Sequence, residues 1–197
     1  MQNIIKDQIR QSLDIKQKLL ESVPAIEAIE KSSLAIIAAY LNKKKLLLAG
    51  NGGSAADAQH IAAELVNRFG FDRPGLNAIA LTTDTSIITS VGNDSGFEQV
   101  FARQANALGS EGDIFIALST SGNSANLIEA LKICRAKKIL TIGLIGETGG
   151  KMADLCDICI RVPSCDTPRI QEVHILIGHI ICSIVEEELF GSYKSPK

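Results

Sequence analysis

Five short apolar runs recur along this chain with helix-patterned segments between them, and that rhythm restricts the fold more than any other feature. The runs are residues 46–49, 78–81, 114–118, 139–145 and 158–162. Each is nearly continuous in aliphatic residues instead of alternating with polar ones. Strands of that kind are covered on both faces, the mark of a parallel sheet between two helical layers. Helical spacing occupies 55–68, 85–91 with 98–108, and 126–136. Right-handed crossovers then predict an α/β fold, a three-layer α/β/α sandwich on a five-stranded parallel sheet. A long closing helix is expected from about 169 to 190, with Gly191 as its stop signal.

Two helices precede this alternation. Ile4, Ile5, Ile9 and Leu13 recur at helical spacing, as do Ile26, Ile29, Leu34, Ile37 and Leu41. Pro24 lies between the two sets and suits the first turn of the second helix. These helices, residues 1–43, stand ahead of an α/β core at 45–190. Their apolar stripes must bury against that core or against another subunit. No repeat, low-complexity tract or linker interrupts the chain, so a single domain over 1–197 is expected. With no Trp and 4% aromatic residues, its core must be aliphatic.

Several function classes are excluded at this level. The formal charge is −2 and no dense basic block occurs, so nothing points to nucleic acid. Lys43, Lys44 and Lys45 read as a solvated helix end, where cations suit the helix dipole. Charges occupy the start of the chain where a signal peptide needs its apolar run. The longest apolar run, 34–41, is too short to span a bilayer. A cytoplasmic protein with no membrane partner is expected. Five Cys in strand- or helix-like contexts argue against a disulfide framework. Cys156 and Cys159 have metal-knuckle spacing, but no second ligand pair accompanies them. Strand alternation there sends the two side chains in poorly matched directions, and core thiols are the preferred reading.

Chemistry concentrates at two strand ends, where open α/β sheets bind ligands. The first is Gly50-Asn51-Gly52-Gly53-Ser54 and the second Ser119-Thr120-Ser121-Gly122-Asn123-Ser124. Backbone N–H groups at a helix start, with several hydroxyls, suit a phosphate dianion. The simpler reading of the second is a Ser/Thr turn with Ser124 as N-cap. It lacks the Lys of a nucleotide P-loop, and the first loop fails the dinucleotide spacing. His60 and Glu64 are four apart on one helix face, a pair suited to metal binding or acid/base work, or simply to a helix-surface contact. Arg68 extends that face and offers Glu64 an exposed salt bridge. The closing helix holds Gln171, Glu172, His174 and His179. Angular spacing leaves open whether Gln171 or Glu172 works with His179.

Five motifs in order carry a resemblance: GNGGSAADAQH from Gly50, VGND from Val91, STSGNS from Ser119, GGKMADL from Gly149, and RIQEVH from Arg169, followed by His179. Together they resemble the sugar isomerase (SIS) domain family and, more narrowly, its phosphoheptose isomerases. The resemblance implies the flavodoxin-like SIS fold and a homotetramer with sites near subunit boundaries. The implied reaction is sedoheptulose 7-phosphate to D-glycero-D-manno-heptose 7-phosphate through an enediol. That is the first step of heptose supply for lipopolysaccharide or capsule. By position, Ser119, Thr120, Ser121 and Ser124 hold phosphate. Asn51, Gly52, Gly53, Asn93 and Asp94 line the sugar. Glu64 and His179 are the acid/base pair. His60, Glu64, Gln171 and His179 match the ligands of one zinc per subunit, and Gln171 also touches substrate. Pro168 stands where some members carry Asp, and Asp166 is the nearest carboxylate. Some relatives of similar length bind the replication initiator DnaA without catalysis. They lack the acid and imidazole found here at Glu64 and His179. Isomerases for other sugar phosphates, such as arabinose 5-phosphate, usually carry further domains.

Overall fold

The computed structural model describes residues 1–193. Its strands are β1 (Leu46–Gly50), β2 (Ala78–Ala80), β3 (Ile114–Ser119), β4 (Leu140–Ile145) and β5 (Ile158–Arg161). The α-helices are α1 (Gln2–Glu21), α2 (Val23–Leu41), α3 (Gly53–Val66), α4 (Thr85–Ser95), α5 (Val100–Leu108), α6 (Ala125–Ala136) and α7 (Thr167–Phe190). All strand pairs are parallel, in the order β2-β1-β3-β4-β5. The expected five-stranded parallel sheet is therefore present, in the flavodoxin-like strand order.

Alternation within the strands assigns the layers. Leu46, Leu48, Ile116, Leu118, Ile142 and Leu144 face one side and pack with Ile36, Ile61, Leu65, Val173 and Ile177 of α2, α3 and α7. Leu47, Ala49, Phe115, Ala117 and Ile145 face the other and pack with Phe101 and Leu131 of α5 and α6. Both clusters are overwhelmingly aliphatic, as the shortage of aromatics requires. Strand order reverses between β1 and β3, so the loops that follow those two strands open side by side.

Local chemistry explains where the elements begin and end. Asp84 caps α4 by accepting from Ile87 N at 2.9 Å, and the helix runs on to Ser95 before Gly96 at φ 92° ends it. Pro24 occupies the first turn of α2, as expected. α7 stops at Gly191, but that residue keeps right-handed backbone (φ −54°) and leads into a short 3₁₀ turn. Lys43 does more than solvate a helix end. It adopts φ 58°, and the Lys43 and Lys44 N–H groups bond back to Tyr40 O and Ala39 O. Cys156 and Cys159 depart from the strand-alternation expectation. Cys156 precedes β5, and both sulfurs face Gly143, which is paired with Cys159 in the sheet. Burial pushes the Cys156 thiol up to about 12, the pKa of an unreactive core group.

The stripe on α1 stays uncovered: Ile4 is 66% exposed, Ile5 54%, Ile9 55% and Leu13 60%. α1 is held instead by buried Leu19 near its C-terminal end and by Arg169 of α7, which donates to Gln8 O in its first half at 2.6 Å. Among the described residues, no helix is long and apolar enough to cross a membrane.

Candidate active site

The Ser119–Ser124 loop is built around its own hydroxyls. Ser119 Oγ lies 2.9 Å from Ser124 Oγ and accepts from Gly122 N at 3.1 Å. Ser124 is the N-cap residue of α6, yet its side chain makes no capping bond. Gly122 sits at φ 65°, and a Cβ there would lie 2.0 Å from Gly149 O. That contact gives the 149–155 motif its part: Met152 N donates to Gly122 O at 3.0 Å, and Lys151 N to Asn123 Oδ1 at 3.1 Å. The loop is thus backed from below, and exposed Ser121 and half-buried Thr120 face outward at the start of α6.

A reciprocal amide pair ties this loop to the glycine loop. Asn51 Nδ2 donates to Asn126 Oδ1 at 3.0 Å, and Asn126 Nδ2 donates to Asn51 Oδ1 at 2.8 Å. The Asn51 side chain is therefore occupied, leaving the backbone of this loop for a ligand. Asn126 was missed at the sequence level. Its one signal is its place two residues into α6, directly after the hydroxyl-rich turn.

Three of the four expected metal ligands converge. His60 Nε2 lies 3.0 Å from Glu64 Oε1 and 3.2 Å from His179 Nε2, and His179 Nε2 lies 3.4 Å from Glu64 Oε1. Two helices make this possible. α3 places His60 and Glu64 on one face, and Gly178 lets α7 approach so closely that a Cβ would meet Ile61 at 2.7 Å. Donor atoms about 2.0–2.1 Å from a tetrahedral zinc stand roughly 3.4 Å apart, so the spacing suits such an ion. Glu64 Oε2 is buried without a hydrogen-bond partner, a second sign that this carboxylate is built for a group beyond the chain itself. Glu64 and His179 are half-buried, and His60 is exposed.

The remaining residues lie elsewhere. The Gln171 side chain packs against Gly53, where a Cβ would lie 2.5 Å from its Nε2. Gly53 is seven residues before His60 on α3, and Gln171 eight before His179 on α7. In one chain, Gln171 therefore belongs to the loop end, about 12 Å along the helix axis from His179. Asn93 donates to Asp94 at 2.8 Å on the exposed last turn of α4, and no hydrogen bond links either to the loops. Glu172 pairs with Arg169 at 2.6 Å. Glu64 finds its partners in the two imidazoles and makes no salt bridge with Arg68. Asp57, one turn before His60, was also missed. Burial pushes its carboxyl up, with His60 opposing, and its Oδ2 is buried without a partner.

Residues 10–146 match the SIS domain family. A phosphoheptose isomerase of Campylobacter jejuni is 60% identical over 191 residues, covering 97% of this chain and 95% of that protein. The chain belongs to the phosphoheptose isomerases of the SIS family. Such proteins are sugar-phosphate isomerases, and this chain is an enzyme of that class. Among solved structures, the phosphoheptose isomerase of Neisseria gonorrhoeae superposes with a TM-score of 0.88 at 41% identity, covering 94% of this chain and 98% of that one. The phosphoheptose isomerase of Francisella tularensis gives 0.90 at 38% identity, covering 94% and 97%. The family assignment leaves the non-catalytic, initiator-binding reading without support.

Proposed function

We propose that this phosphoheptose isomerase converts sedoheptulose 7-phosphate to D-glycero-D-manno-heptose 7-phosphate in the cytoplasm, as the first step of heptose supply for a surface glycan. The observation that carries the reading is the convergence of His60, Glu64 and His179 within 3.4 Å. The Ser119–Ser124 loop takes the phosphate on its hydroxyls and on N–H groups at the start of α6. Gly52 and Gly53 let the sugar approach the backbone. Held at one end, the substrate presents its reacting carbons in a fixed place.

Glu64 then takes a proton from C1, and that electron pair forms the C1–C2 double bond of an enediol. The C2 carbonyl oxygen gains a proton from His179 as the π bond breaks. His179 next removes the proton from the C1 hydroxyl, and Glu64 returns its proton to C2, leaving the aldehyde at C1. His60, Glu64 and His179 are the residues that would hold a zinc ion. Such an ion would polarise the carbonyl and stabilise the developing enediolate. Nε2 of His179 is wanted for both metal and proton, so the two roles compete for one nitrogen.

Gln171, the expected fourth ligand, stands on the loop side of its own chain, and Asn93 and Asp94 lie apart. A site completed between subunits accommodates all of them. One subunit gives the triad, and Gln171 of the partner subunit arrives with the partner's loops. The uncovered α1 stripe supports assembly into the homotetramer that such sharing requires. The test is a coupled assay with sedoheptulose 7-phosphate, before and after chelation and zinc addition. Chelation is expected to lower turnover and zinc to restore it. Glu64→Gln should abolish turnover while substrate still binds; a variant that keeps turning over removes Glu64 from the base role.

A further inference from the structure

The proposed reaction makes no use of the salt bridge between Arg73 and Glu186, yet that pair reaches both members of the acid/base couple. Their side chains are 1% and 2% exposed, with Arg73 Nε 3.0 Å from Glu186 Oε1. Arg73 sits on the segment that leaves α3. Its Nη2 donates to Glu64 O at 2.9 Å, and its Nη1 donates to Leu65 O at 2.7 Å and Pro74 O at 3.0 Å. The last carbonyls of a helix have no N–H of their own to accept from. Here one guanidinium takes two of them, including the carbonyl of Glu64 itself.

Glu186 lies seven residues after His179 on α7, two turns along the same side. Its Oε1 also accepts from Phe69 N at 2.7 Å, and its Oε2 from Gly70 N at 2.6 Å. Phe69 is thereby fixed at the backbone, and its ring lies 5.8 Å from the His179 ring. The other ring against His179 is His60, at 5.2 Å. Burial pushes the Glu186 carboxyl up, but these donors outweigh it and hold the group ionised. A buried ion pair is weak evidence for stability, since desolvation offsets much of the attraction and an apolar pair often serves as well. What an apolar pair cannot do is bind two backbone amides on one side and two helix-end carbonyls on the other.

We infer that Arg73 and Glu186 are positioning residues for Glu64 and His179, and that Phe69 transmits their hold to the His179 ring. The inference rests on the reading of Glu64 and His179 as the acid/base couple. Because Glu186→Ala and Glu186→Gln both leave the guanidinium buried without its counter-charge and can cost the fold, Phe69→Ala is the decisive variant and Glu186→Gln, the closer isostere, is measured beside it. Phe69 is 37% exposed, so its truncation leaves the core intact.

Thermal unfolding and steady-state kinetics with sedoheptulose 7-phosphate would be measured on the full-length oligomer. A misplaced catalytic group costs up to about 100-fold. Both variants are expected to lose roughly 10- to 100-fold in kcat with KM changed by less than about threefold. Phe69→Ala should keep a wild-type melting temperature, and Phe69→Tyr should recover most of the lost turnover. Wild-type kcat in Phe69→Ala, or losses that only follow the unfolded fraction, would overturn the inference. Glu64→Gln is assayed alongside. If it retains turnover, the acid/base reading itself fails. If it is inactive while Phe69→Ala is unimpaired, the positioning role alone fails.

Discussion

Gly122 shows how little freedom the Ser119–Ser124 loop has. At φ 65° an L side chain costs roughly 1–2 kcal/mol in backbone strain alone. Its Cβ would also collide with Gly149 O, a backbone atom that cannot rotate away. Gly122→Ala is expected to raise KM at least about tenfold and to lower stability by about 2 kcal/mol or more, read by kinetics and urea unfolding. His174 makes a prediction of another kind. It is fully buried, and burial holds its pKa down to about 4, only weakly opposed by the Ile145 backbone. Unfolded, the imidazole takes up its proton near the ordinary value of about 6.5. Between those values the unfolded chain binds more protons, so stability falls as pH falls. The loss reaches on the order of 3 kcal/mol across that window. Urea unfolding at pH 7.5 and 4.5 should show it, and His174→Phe should remove most of the difference. Asp113 and Glu186 act at lower pH. Burial pushes both carboxyls up, but their cationic and N–H partners hold them below the ordinary range. Their stabilisation is present above the ordinary carboxylate values and is lost only as pH falls further.

Among the elements, two helix ends share an unusual closure. After α2 and after α6 the chain turns through a lysine in left-handed conformation, Lys43 at φ 58° and Lys138 at φ 56°. Each is followed by an N–H that reaches back to the helix, Lys44 to Ala39 O and Ile139 to Cys134 O at 2.9 Å. This is the closure usually built with glycine. Lys43→Gly and Lys138→Gly should each stabilise by roughly 0.5–1 kcal/mol, because relief of strain exceeds the added freedom of the unfolded chain. Lys138 also pairs with Glu111 at 3.2 Å, but that contact is exposed and removes little from the gain. A melting temperature below wild type in both variants would contradict the strain argument. The same two helix ends show why sequence marks boundaries poorly. With lysine where glycine is usual, periodicity alone started the fourth strand at Ile139, one residue inside the turn.

For the whole molecule, the open question is how Gln171 and the triad meet. A shared site predicts complementation. Glu64→Gln and Gln171→Ala are each expected to be inactive alone. Mixed after dissociation and reassembly, they leave about a quarter of the sites with an intact triad and an intact Gln171 side. Recovery of about that fraction of turnover supports sharing, and no recovery places every group in one chain. The α1 stripe belongs to the same scale. Four aliphatic side chains at helical spacing, each more than half exposed, can be buried only by another copy or another surface.

Much of this was legible in the residues themselves. Near-continuous apolar runs separated by helical patterns dictated a parallel sheet with both faces covered, because only that arrangement buries such strands. The loop residues, His60 and Glu64 stood out because their chemistry is local: hydroxyls and glycines at a strand end, and two titratable groups one turn apart; His179 was singled out by the resemblance and not by its spacing. Pairings across the fold were not legible. That Asn51 is taken by Asn126, that both Cys156 and Cys159 face Gly143, that Arg73 reaches Glu186 from more than a hundred residues away, and that Gln171 lies beside Gly53 all depend on helix approach and strand order. Periodicity reports which face a residue takes on its own element. Only tertiary packing decides which other element that face will meet.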